Sequence, residues 1–341
     1  MKQSVYTLLI LSLALFVSCS LINNNNEKWA LRTPKGIQEQ TMDIDTMNLR
    51  NPFIFLDKKN LVYYMTGDGG YIWTSKNMRQ WCGPYAILEL DPTMWMGENP
   101  QIESPEIHKH NNRYYYTATF SRPDAIIGRE GERDIIRRSC HIFVADSIQG
   151  PYKPICKESI FDSYKALQGA TFCTDENNFG YLIYSQDWRQ QGQDKVQITM
   201  LSENLDTQIG EPFIMFAAST REWTEEQQSN TRAIDGPFLF ATEGDMLGIL
   251  FAAEHNGSGA VGVAYSKKQQ GLNGPWNIEP EPLLTGGYGQ AMLFNDFDGT
   301  LLMVLHKETE INSEKKYIPQ IFEVDNQYEK LIIKTIINPN L

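Results

Sequence analysis

The sequence predicts an all-β fold, a five-bladed β-propeller over residues 31–341, and three observations carry that reading. After residue 30, long stretches with helical periodicity are missing. Short runs rich in Tyr, Phe, Ile, Leu and Val alternate with Gly, Asn, Asp and Pro instead. Five such runs recur at intervals of roughly 50–65 residues, a blade-like spacing. Each is preceded by a second repeat, in which a polar residue and a Pro or Gly open a short apolar strand.

Before the first repeat lies a targeting segment. Lys2 supplies positive charge and Val5 to Val17 form one apolar run. That run is shorter than the ~20 residues of a spanning helix, but it fits the apolar region of a signal peptide. It ends in F-V-S-C, so residues 1–18 read as a lipoprotein signal with Cys19 as the lipidated first residue. Plain secretion, with Cys19 lost, is the alternative. Residues 19–30 are polar and low in complexity, as a tether would be. The chain is therefore expected to be exported and held at a membrane, in the periplasm or at the cell surface. Cys82, Cys140, Cys156 and Cys173 show neither close pairing nor zinc spacing, and mostly free, half-buried thiols are expected.

The first unit opens at Asn51-Pro52 and continues in L-V-Y-Y-M-T-G from Leu61. The second opens at Ser104-Pro105-Glu106 and continues in R-Y-Y-Y-T-A-T-F from Arg113. Gln168-Gly169 opens the third, followed by G-Y-L-I-Y-S from Gly180. Asp235-Gly236-Pro237 opens the fourth, followed by M-L-G-I-L-F-A from Met246. Gly289-Gln290 opens the last, followed by L-L-M-V-L-H from Leu301. Turn residues such as Asn111-Asn112 and Asp298-Gly299 join the paired runs, because tight hairpins want a positive φ. Outer-strand signals recur in W-C-G-P-Y, I-Q-G-P-Y and N-G-P-W, which marks Trp73, Trp81 and Trp276 as core. The polar stretches 121–134 and 219–230 read as loops.

Innermost strands of a propeller converge on one channel mouth. Asn51, Glu103 to Glu106, Gln168, Asp235 and Gln290 should meet there. A mouth lined by acids, amides and aromatics suits a carbohydrate. The net charge of −12 and pI near 5.0 argue against nucleic acid. The expected partners are an oligo- or polysaccharide and, through the lipid, a membrane; the chain is expected to be a monomer.

These motifs together resemble glycoside hydrolase family 43, five-bladed propellers acting mainly on arabinose- and xylose-containing glycans. R-N-P-F-I at 50–54 is similar to the family's R-D-P-F-I, whose Asp is the general base. E-S-P-E-I-H-K at 103–109 is similar to W-A-P-E-V-H-K. L-Q-G-A-T-F, with F-G-Y-L-I-Y-S-Q-D-W after it, is similar to the segment whose Asp tunes the acid. I-D-G-P-F-L-F is similar to the segment bearing the general acid. M-V-L-H, ending at His306, is similar to a strand whose His sits beside a central calcium in many members.

The resemblance implies an inverting hydrolase with two opposed carboxyl groups ~6.5–9.5 Å apart. It also implies a third carboxylate that raises the acid's pKa. In this chain Asn51 and Gln168 occupy the base and tuning positions, and neither amide accepts a proton near neutral pH. Asp235 keeps the acid position, with an expected pKa near the ordinary ~3.9. Glu103 and Asp187 are candidate relocated bases, with Glu254 a further carboxylate. Glu106 occupies a structural position. Trp95, Trp188 and Trp223 are candidate sugar platforms, with core packing as the alternative for each. His306 is either a neighbour of calcium or a hydrogen-bonded channel residue. Two functions remain in play: a glycosidase with an incomplete set of carboxylates, and a glycan-binding lipoprotein that has lost catalysis.

Overall fold

Alternation with a period of two explains why the repeated runs become strands buried on both faces. Val62 and Tyr64 point into one apolar cluster, with Ile107, Tyr116 and Phe143. Tyr63 and Met65, between and beyond them, point into another with Met292, Phe294 and Val304. Leu182 and Tyr184 likewise separate from Ile183, and Leu302 and Val304 from Met303 and Leu305. Each strand thus serves the gap before its own sheet and the gap after it.

The computed structural model describes residues 31–161, 167–186, 195–220, 223–224, 226–227, 231–232 and 234–337. Five antiparallel sheets follow one another along the chain as blades I to V. Blade I pairs Phe53–Asp57, Val62–Thr66, Tyr71–Ser75 and Gln80–Ala86, with Gln40–Asp43 added at its outer edge. Blade II contains Gln101–His110, Arg113–Glu130, Arg133–Ala145 and Lys153–Pro154. Blade III contains Leu167–Thr174, Gly180–Gln186, Lys195–Leu201 and Gln208–Ala217. Blade IV is led by Ile234–Ala241, Met246–His255 and Ser258–Lys267. Blade V runs from Tyr288–Asn295 through Leu301–Ile311 and Glu314–Asp325 to Ile332–Ile336. All five runs read from the sequence as second strands are second strands.

Five apolar clusters fill the gaps between successive blades, and the one shared by blades V and I closes the ring. Hydrogen bonds reinforce that closure. Leu49 N–H donates to the Tyr317 carbonyl (2.7 Å) and Tyr317 N–H to Asn48 Oδ1 (2.9 Å). Since no strand of blade V comes from the N-terminal part of the described residues, packing rather than strand exchange holds the ends of the ring together. Trp81 and Trp276 are buried as expected, and Cys140, Cys156 and Cys173 carry free thiols.

Two expected loops are corrected. Residues 121–134 extend the second hairpin of blade II, with Arg122 opposite Arg137 and Arg129 opposite Asp134. Ile126 there is 57% exposed, so the extension lacks the buried face that makes a strand visible in sequence. In the second stretch, Glu226–Gln227 pairs with Thr231–Arg232, after a 3-10 turn at Ala218–Thr220. The segments 1–18 and 19–30, with Cys19, lie outside the described residues.

Candidate functional site

A repeated backbone device aims the strand openings at one place. Asn51 (φ 53), Ser104 (φ 50), Gly169 (φ 52) and Gly236 (φ 53) share one left-handed conformation. The register of the innermost strands slips at these points in blades II, III and IV, and in blade V between Tyr288 and Ala291. Such bulges bend a strand and re-aim a side chain. Glycine adopts this conformation freely, and asparagine tolerates it better than most side chains. The residues just ahead of the turn are therefore equivalent: Arg50, Glu103, Gln168 and Asp235.

The openings of blades I, IV and V border a cleft of about 450 Å³, lined by Arg50, Asn51, Asp235, Glu254, Tyr288, Gln290, His306 and Tyr317 among others. Its size suits a small ligand. Asp235 stands on one wall, its Oδ1 accepting from the Gly236 N–H (2.6 Å). Gly169 packs so closely that a Cβ there would lie 2.9 Å from Asp235 Oδ1 and 2.6 Å from the Gly236 Cα. The turn after Gln168 therefore abuts Asp235. The backbone of Gln168 pairs with Ser185; its side chain lies outside the described residues, as do Asp187 and Trp188 altogether.

Asn51 is buried, and both donors of its amide nitrogen are engaged. Nδ2 donates to Asp68 Oδ1 (3.0 Å) and to Ser104 Oγ (3.1 Å). Its backbone N–H donates to His306 Nδ1 (3.1 Å). Asp68 also accepts from the Ser104 N–H (2.9 Å) and lies 3.6 Å from the Arg50 guanidinium. Burial is the largest influence on this carboxyl, and Glu103 adds like-charge repulsion. Against the opposing pull of Ser104, Arg50 and Asn51, they push it from 3.8 up to about 6. Arg50 in turn has its own pKa raised by Asp68, Asp235, Tyr317 and Glu103, against the opposing effect of burial, the largest single influence on it. One guanidinium thus holds three carboxylates in a common field.

The raised value of Asp68 is also a statement about stability. The folded state holds this proton more tightly than the unfolded chain. The contribution is therefore complete below pH ~4 and is lost as pH rises through about 6. A shift of this size is worth on the order of 3 kcal/mol. Asp68→Asn, compared with wild type by thermal melting from pH 4 to 7, is expected to gain relative stability across that interval. A constant difference would contradict the assignment.

His306 is buried, and burial with help from Arg50 pushes its pKa down to about 3, so the ring is neutral. With Nδ1 accepting from Asn51, its proton sits on Nε2. The ring meets Tyr317 edge-on at 5.3 Å. This neighbourhood does not fit a calcium held directly by protein oxygens, which wants six to eight oxygen ligands. The lone pair of Nδ1 is engaged, a guanidinium stands close by, and no metal-holding group of three His, Cys, Asp or Glu occurs among the described residues. His306 accepts a hydrogen bond from the Asn51 backbone and lines the cleft.

The other expected site residues divide sharply. Glu103 is near the cleft but ion-paired with Arg138, which also donates to Ser121 Oγ (3.2 Å). Glu106 is buried and bonded to His108 Nε2 (2.6 Å), a structural role with a side-chain rather than a backbone partner. Trp95 is 4% exposed, its indole N–H donating to His141 (3.3 Å). Trp223 is 8% exposed, stacked on Phe251 and bonded to the Glu279 carbonyl (3.0 Å). Neither ring offers a face to a sugar, so both are corrected to core residues. The aromatics that do line the cleft are Tyr288 and Tyr317. The sequence reading missed these, along with Arg50 and Asp68. Arg50 opens the R-N-P motif, and Asp68 was hidden in T-G-D-G-G, which reads only as a turn. Gln290 Oε1 is a buried acceptor with no partner among the described residues, and it faces the same cleft.

Comparison with known proteins gives a consistent picture. The family model described as glycosyl hydrolases family 43 matches residues 44–324. No curated protein matches the sequence. An endo-arabinase from Bacteroides thetaiotaomicron VPI-5482 superposes with a TM-score of 0.70 at 24% identity, covering 86% of this chain and 97% of that one. A thermostable family-43 glycoside hydrolase gives 0.67 at 18% identity, covering 91% and 98%. An α-L-arabinanase from Cellvibrio cellulosa, solved with arabinohexaose, gives 0.61 at 12% identity, covering 84% and 96%.

Proposed function

The chain belongs to glycosyl hydrolases family 43, and from that premise we propose that it is an exported glycosidase of arabinose- or xylose-containing glycans, slowed by its own site. The observation that carries this is Asp235, a carboxylic acid kept on the wall of a sugar-sized cleft that also presents Arg50, Tyr288 and Gln290. Asp235 protonates the leaving oxygen. Tyrosine faces pack on the C–H face of a ring, and Gln290 Oε1 accepts from a hydroxyl. Asn51 and Gln168 stand where the family's resemblance puts the base and the tuning carboxylate. A base missing from its family position and only imperfectly replaced costs part of the ~10²–10⁴ in rate that general-base catalysis supplies.

Turnover is therefore expected to be slow, and Asp235→Asn is expected to lower it a further ~10²-fold or more. Release of reducing ends from arabinan and xylan oligosaccharides by the purified protein checks both. The amide of Asn51, locked by two hydrogen bonds, favours a second reading, a glycan-binding lipoprotein without turnover. Binding of the same oligosaccharides with no release of reducing ends would select it. In either case Cys19 anchors the protein, and Cys19→Ser is expected to move it from the membrane to the soluble fraction.

A further inference from the structure

We propose that Asp68 is the general base of this cleft, taking over the proton-accepting role from position 51. The inference rests on the hydrolase reading above. Asp68 Oδ1 is fixed by Asn51 Nδ2 (3.0 Å) and the Ser104 N–H (2.9 Å). Oδ2 lies on the side of Arg50, 3.6 Å from its guanidinium. Both Asn51 and Arg50 line the cleft. The side chain of Asp68 keeps 22% of its surface exposed, so a water can reach it. An asparagine at 51 is then a positioning residue: its amide orients the carboxylate next to it.

The rival carboxylates are less suited. Glu103 is engaged by Arg138, Glu106 is buried against His108, and Glu254 belongs to the blade that carries Asp235. The groups facing Asp68 are Arg50, Glu103, Tyr116, the Asn51 amide and the Ser104 N–H. Burial and Glu103 outweigh the others and raise its pKa to about 6, which suits a base working near neutrality.

Asp68 takes one proton from a water as that water's oxygen bonds to the anomeric carbon. The glycosidic C–O bond breaks, and its electron pair leaves on the aglycone oxygen, which takes a proton from Asp235. After products depart, Asp68 loses its proton to solvent and Asp235 regains one.

The test is Asp68→Asn, which keeps an acceptor oxygen for Asn51 and Ser104 but not the basicity. Arabino- and xylo-oligosaccharide hydrolysis is measured against pH for this variant and wild type, with binding of arabinohexaose and xylohexaose followed by calorimetry. Wild-type kcat/KM is expected to fall below pH ~6, following the carboxyl's own titration. The variant should lose ~10²–10⁴ in kcat together with that acid limb, while binding stays within a few-fold. Asn51→Asp combined with Asp68→Asn, which returns a lone carboxylate to position 51, should recover part of the loss. A purely structural Asp68 would leave the limb in place and weaken binding, and that result overturns the assignment while leaving the hydrolase reading intact. Wild type that binds and never hydrolyses overturns both.

Discussion

Asn51→Asp alone is expected to weaken the protein above pH ~6 and to leave turnover unimproved, although it restores the residue that the family's R-D-P-F-I motif carries. The present amide donates to Asp68 Oδ1 at 3.0 Å. A carboxylate in its place would set two acids about a hydrogen bond apart, and such a pair holds one proton between them. Its titrations then belong to the pair and not to either residue. Asp68 already lies at about 6, so the shared proton should persist into the neutral range. Above it, the lost hydrogen bond and the repulsion together cost ~1–3 kcal/mol. Urea denaturation at about pH 5 and about pH 8 checks this, since the loss relative to wild type should be clearly larger at the higher pH. Equal losses at both would mean that the two side chains do not face each other.

Gly236→Ala is expected to cost ~2–5 kcal/mol and to abolish turnover. At φ 53 an alanine carries a conformational penalty of ~1–2 kcal/mol. Its Cβ would also enter the side chain of Gln290, which is 8% exposed and has little room to give. Overpacking of this kind costs ~1–3 kcal/mol. The neighbouring backbone of Gly169 blocks retreat on the other side, so Asp235 must move with the turn. Gly299→Ala separates the two effects. Gly299 has φ 92 but nothing within 4 Å of its Cβ direction, and only the conformational penalty should appear. Thermal melts of the two variants, with oligosaccharide turnover, give the comparison. Equal destabilisation would show that the Gly236–Gln290 approach is not tight.

Which parts of this molecule were legible in its sequence follows from what leaves a periodic trace. The second strands are buried on both faces, so Val62 to Met65 and Leu302 to Leu305 appear as continuous apolar runs. The strand openings were visible because a left-handed turn favours Gly or Asn, which occupy three of the four (Asn51, Gly169 and Gly236). The extension at 121–134 was not, because its strands pair mostly in the open and no burial imposes alternation on residues such as Arg122 and Glu132.

At the site, sequence placed Asn51 in one class with Gln168 and Asp235. The backbone shows a one-residue offset, with Asn51 at the turn and Arg50 in the place of Asp235. Spacing alone could not reveal it, since each motif reads as a polar residue beside a Gly or Pro. The tryptophans failed for another reason. A large aromatic serves equally as core or platform, and Trp95 and Trp223 were decided by which blade gap they entered. Asp68 left no trace beyond a turn signal. Its orientation comes from Asn51 and Ser104, residues 17 and 36 positions away.

The most direct measurement is a crystal structure of the Asp235→Asn variant with arabinohexaose. The account predicts a sugar ring whose glycosidic oxygen lies close to the substituted side chain at position 235. It also predicts a water that is hydrogen-bonded to Asp68 and faces the anomeric carbon. A sugar seated away from the strand-opening bulges, or an attacking water held by another carboxylate, would contradict it.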